Sequence, residues 1–112
     1  MEAKELKFIL DIQSVLSEIR DIKEYVDNNF VVYKSNFIVK RAVERDLEII
    51  GEAVKKLVEH NPNIKITSVK KIISLRNMIS HAYDSVDDEL IWAIIQRDIP
   101  ILQDEINNLR QS

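Results

Sequence analysis

The sequence predicts an all-α protein, an antiparallel bundle of four to five helices, and two observations carry that expectation. One glycine and two prolines in 112 residues leave few of the tight turns that a sheet protein needs. The apolar residues recur every three or four positions over long segments, which is the period of a helix and not of a strand.

The elements follow in order. From Glu2 to Asp27, residues Leu6, Ile9, Leu10, Ile12, Leu16, Ile19, Ile22 and Val26 keep helical spacing, and Asn28-Asn29 ends the run. Phe30 to Lys34 reads as a short link. Ser35 is placed to cap a second helix carrying Phe37, Ile38, Ala42, Val43, Leu47, Ile50, Ala53, Val54 and Leu57, which stops near His60 before Asn61-Pro62-Asn63. A third helix starts at Thr67 or Ser68 and runs to Tyr83. Asp84-Ser85-Val86-Asp87-Asp88 is a turn rich in capping residues ahead of the last segment, with Leu90, Ile91, Ile94, Ile95, Ile101, Leu102, Ile106 and Leu109. Pro100 predicts a kink or break there, near Asp98. The whole chain, residues 1–112, reads as one domain. Gly51 sits mid-helix, where glycine costs roughly 1 kcal/mol against alanine. It predicts close approach of another backbone, within the subunit or, less simply, from a second one.

Composition narrows the function classes. A net charge of −3 lacks the basic surplus of most nucleic-acid binders, so any RNA contact must be a local basic patch. Lys65, Lys70 and Lys71 are the nearest candidates for one. Zero cysteines exclude disulfides and thiolate metal sites. The charged start Met1-Glu2-Ala3-Lys4-Glu5 and the lack of a long apolar run predict neither a signal peptide nor a membrane span, which makes the cytoplasm the default location.

The third helix gathers the chemistry. Arg76, His81 and Tyr83 combine a permanent cation, a group that titrates near neutrality and a phenol within two turns. At about 100° per residue, Arg76, Ser80 and Tyr83 share one stripe, and Asn77 and His81 lie on a second, with Lys70 and Ser74 near them. Ile72, Leu75, Met78, Ile79 and Ala82 occupy the opposite, core-facing arc. Arg76 can hold phosphoryl oxygens, His81 can move a proton, and Asn77 and Lys70 can support a phosphate contact. Such chemistry asks for no metal. With only His60 and His81 in the chain, a two-fold dimer would bring a second His81 to serve as the acid while the first serves as the base.

These residues resemble a known family. Arg76-x4-His81-x-Tyr83 is similar to the RX4HXY motif of HepT toxins, a branch of the HEPN ribonucleases. Ala42-Val43-Glu44-Arg45-Asp46-Leu47-Glu48-Ile49-Ile50-Gly51-Glu52-Ala53 resembles that family's second-helix signature, and Ser74-Leu75-Arg76-Asn77, Val86-Asp87 and Asp98-Ile99-Pro100 also fit. The resemblance spans essentially the whole chain. It implies a HEPN-like helical homodimer formed through the motif-bearing helix, with metal-independent endoribonuclease activity and Arg76 and His81 as catalytic residues. It also implies a partner, a nucleotidyltransferase antitoxin of the MntA type. That partner uses ATP and magnesium to attach AMP to the tyrosine matching Tyr83 and silence the toxin. A non-catalytic helical module that binds such a partner, or a nucleotide or RNA, is the alternative expectation. Taken singly, His60 reads as an ordinary helix end, and Arg45, Glu48 and Glu52 as surface or interhelix ion pairs.

Overall fold

A computed structural model describes residues 2–81 and 87–111, apart from the His81 side chain. Its helices are α1 (Ala3–Tyr25), α2 (Phe30–Ser35), α3 (Phe37–His60), α4 (Val69–His81) and α5 (Asp88–Gln111). There is no strand among the described residues, and no helix long and apolar enough to cross a membrane. The all-α expectation holds.

α3 is the centre of the bundle, with α1 and α4 packed along it, α2 against it, and α5 against α1. Contacts near the helix ends fix the directions. Glu2 and Glu5 at the start of α1 meet His60 at the end of α3. Gln13 bonds Asn107 at 3.1 Å, while Lys23 reaches the Ile95 carbonyl at 3.4 Å, so α1 and α5 are antiparallel. Thr67 and Lys71 contact Glu105 and Asp98 respectively, which sets α4 antiparallel to α5. Ile9, Ile12, Leu16, Ile19, Ile50, Leu57, Ile91, Ile95, Leu102 and Ile106 fill the interior between these helices. Ile72, Leu75 and Ile79 are buried as the helical wheel predicts, and Met78 is partly buried against them.

The segment Phe30 to Lys34 is not a link. It lies within α2, because the Asn29 side chain accepts hydrogen bonds from the Val31 and Val32 amides at 2.9 and 3.2 Å and starts a helical turn. Phe30 and Tyr33 then stack near Trp92 of α5, with Tyr33 and Trp92 centroids 5.1 Å apart. Ser35 consequently ends α2, and its hydroxyl donates back to the Val32 carbonyl. The cap of α3 is Asn36, which accepts from the amides of Ile38 and Val39. Between α1 and α2 the chain turns through Asp27 and Asn28 at φ 56° and 50°, a left-handed pair that these residue types tolerate better than most.

Pro100 does not break α5, which runs unbroken past it. Proline removes one intrahelical bond, to the Gln96 carbonyl, and here it sits on the exposed side of the helix. Ile95, Ile99, Leu102 and Ile106 on the other side are buried, and that apolar anchorage outweighs the lost bond. Asp87 caps α5 through the Glu89 and Leu90 amides, as the acidic turn predicts.

Among the described residues three acidic ones are buried: Glu44, Asp46 and Asp98. Glu44 pairs with Arg41 at 2.9 Å, and Asp98 lies 3.0 Å from Lys71. Asp46 instead shares a hydrogen bond with the Glu18 carboxyl of α1. Burial first, then that hydrogen bond and the charge of Glu18, push its pKa from 3.8 up to about 7 against the pull of Arg45. The folded chain therefore keeps a proton that the unfolded chain releases. The stability this confers is complete below pH 3.8 and is lost as the pH rises through about 7. Asp46→Asn is expected to raise the melting temperature by about 5 °C at pH 8 and by less at pH 5. Equal gains at both pH values in thermal melts would show that Asp46 titrates as an ordinary aspartate.

Candidate active site

The site is built on the contact between α3 and α4. Gly51 is buried on α3, and a Cβ placed there would collide with Arg76 Cβ. It would also lie 2.8 Å from Arg76 Cγ and 3.3 Å from the Ile72 carbonyl oxygen. Only glycine lets α4 lie this close. The close approach is thus within one subunit, the simpler of the two readings of Gly51. The stem of Arg76 crosses α3 at this glycine, and its side chain remains about one-third exposed, at 32 %.

Charge then orients the guanidinium. Arg76 Nη2 lies 3.1 Å from Glu52 Oε2, and Arg76 Nη1 donates to Asn77 Oδ1 at 3.0 Å. Glu52 Oε2 is buried with no hydrogen-bond donor aligned on it, so its attraction to Arg76 is ionic rather than directional. One turn on, the Ser80 hydroxyl donates to Glu48 Oε2 at 3.2 Å. Arg76 and Ser80 share a stripe, as the wheel predicts, and that stripe faces the acidic side of α3. A guanidinium carries five N–H donors, so these two partners leave it capacity to grip an anion.

The structure brings Arg76 and Asn77 together directly. Lys70 is exposed in the first turn of α4, about 9 Å along the axis from Arg76. His81 is the last residue of α4; its side chain, and Tyr83 as a whole, lie outside the described residues. Glu52 is the functional neighbour that sequence reasoning undervalued. Its position beside Gly51 was the available signal, because the residue next to a close helix crossing is within reach of the opposing side chain. Glu52 is an interhelix ion pair as expected, but its partner is the central arginine of the motif. Arg45 stays exposed on the surface.

Gly51→Ala would gain helix propensity of about 1 kcal/mol, yet the added methyl has no space. Overpacking of this kind costs about 1–3 kcal/mol, and here it displaces the stem of Arg76. The variant is expected to melt at a lower temperature than the wild type. A rise in melting temperature would show that α4 moves aside freely.

The family described as Ribonuclease HepT-like matches residues 15–109 of the chain. The protein named Putative RNase MJ1380 of Methanocaldococcus jannaschii is 30% identical over 109 residues, covering 95% of this chain and 97% of that one. Putative RNase TTE0752 of Caldanaerobacter subterraneus is 31% identical over 102 residues, 89% of this chain and 91% of its own. Probable ribonuclease HepT of Thermococcus cleftensis is 35% identical over 74 residues, 62% of this chain and 64% of its own. No solved structure matches the chain significantly. The match covers the α3–α4 crossing and its motif together, and the chain belongs to the HepT-like ribonuclease family.

Proposed function

We propose that this protein is a toxin of the HepT type, an endoribonuclease that cuts RNA without a metal ion and works as a homodimer. The observation that carries the reading is the placement of Arg76: its stem is locked on Gly51, and its guanidinium is held by Glu52 and Asn77 at the surface. His81 follows five residues later on the same helix. Membership in a family whose relatives are named as ribonucleases supports the substrate class.

The reaction follows from those groups. One His81 takes the proton of a ribose 2′-hydroxyl, whose oxygen attacks the adjacent phosphorus. The bond from phosphorus to the 5′-oxygen breaks, and the His81 of a second subunit delivers a proton to that leaving oxygen. The products are a 2′,3′-cyclic phosphate and a 5′-hydroxyl. Arg76 binds the phosphoryl oxygens throughout and stabilises the charge that grows on them. Asn77 keeps the guanidinium in plane, and Lys70 supplies attraction for the RNA backbone. The large apolar side chains left in water at the corner between α2 and α3, Val31, Phe37 and Ile38 among them, offer surface for two copies to bury.

Silencing acts just beyond the same motif. A nucleotidyltransferase antitoxin of the MntA type, using ATP and magnesium, attaches AMP to Tyr83. Seven residues after Arg76 in the sequence, Tyr83 is close enough along the chain for an attached anionic group to compete with RNA phosphate for the guanidinium.

A labelled RNA incubated in EDTA with unmodified protein should be cut, leaving cyclic phosphate ends. His81→Ala should slow cutting by about 10²–10⁴-fold and Arg76→Ala by about 10²–10³-fold, with the fold intact by circular dichroism. No cutting by unmodified wild type across several RNAs would replace this reading with a non-catalytic module that binds the nucleotidyltransferase. Tyr83→Phe should still cut RNA but gain no AMP mass when the antitoxin and ATP are added. An AMP adduct on that variant would place the modification on another residue.

A further inference from the structure

A second cluster of chemically capable groups lies where α1 begins and α3 ends. His60 Nε2 is 3.0 Å from Glu2 Oε2 and 3.9 Å from Glu5 Oε1. One donor atom from each of the three residues lies within 4.8 Å of the others. Glu5 and His60 are mostly buried, with 19% and 24% of their side chains exposed, whereas Glu2 is a more exposed arm at 63%. Two members of the set are therefore held in place by the packing of α1 on α3.

We infer that Glu2, Glu5 and His60 form a binding site for a divalent transition-metal ion of the zinc type, closing the first turn of α1 onto the end of α3. One imidazole nitrogen with two carboxylates is an open zinc-type ligand set. In a tetrahedral site with bonds of about 2.1 Å, neighbouring donor atoms stand roughly 3.4 Å apart. The two separations from the imidazole, 3.0 and 3.9 Å, bracket that value, and the two carboxylates lie within 4.8 Å of each other. A cavity of about 440 Å³ borders Glu5 and is lined also by Asn61, Asn63 and Lys65.

The competing arrangement is a protonated imidazole bridging the two carboxylates, and metal titration separates the two. Zinc is titrated calorimetrically into the full chain at pH 7.5, with His60→Gln, Glu5→Gln and His81→Ala in parallel and circular dichroism to confirm folding. The expected result is one ion per chain, with binding weakened about tenfold or more in His60→Gln and in Glu5→Gln and unchanged in His81→Ala. Absence of saturable binding would overturn the site, as would wild-type affinity in both His60→Gln and Glu5→Gln. Loss confined to His81→Ala would overturn it too, placing the ion on the other histidine. The site stands apart from the RNA-cleavage reading, which only an ion on His81 would touch.

Discussion

The contact between Gly51 and the stem of Arg76 is the constraint on which the arrangement of α3, α4 and the motif depends. A helix interior ordinarily favours alanine over glycine by roughly 1 kcal/mol. Here that preference is overridden, because the missing methyl is the volume that Arg76 Cβ and Cγ occupy. Close approach brings Glu52 onto the guanidinium and Glu48 onto Ser80. Packing and electrostatics thus act through one crossing point: the glycine sets the distance, and the acids on the same helix set the orientation.

An arginine so held is prepared for an anion but not free of competition. Glu52 keeps the guanidinium from sampling many rotamers, which lowers the entropy cost of ordering it around a phosphate. Glu52 also lies beside any phosphate that binds there and repels it. The site therefore exchanges some affinity for position, and a second cation or a second subunit's donors would restore the balance.

Charge elsewhere in the bundle follows a different rule. Glu44 and Asp98 are buried beside cations, whereas Asp46 is buried against another carboxyl and is held protonated up to about pH 7. Asp46 belongs to the same turn of α3 as Glu48, on the helix that carries Gly51 and Glu52. The seam between α1 and α3 is thus sensitive to proton concentration, while the crossing between α3 and α4 rests on a permanent cation.

The helices, most of their ends and the buried arc of α4 could be read from local pattern, because period and capping depend on residues within a turn or two of each other. Arg76 and His81 could be placed on one helix for the same reason, since their spacing is local to α4. Tertiary contacts decided the rest. The Asn29 cap starts α2 and stacking of Phe30 and Tyr33 near the distant Trp92 anchors it, and Pro100 stayed helical because its neighbours were anchored in the core. Phe37 and Ile38 keep the helical period and yet face water at 69% and 68% exposure. Nothing local distinguishes them from Val43 or Leu47, which are buried. The same holds for Glu52: its charge was visible in the sequence, but its partnership with Arg76 required two helices to cross at a glycine. Local spacing determines which groups a helix carries, and only packing between distant segments determines what those groups meet.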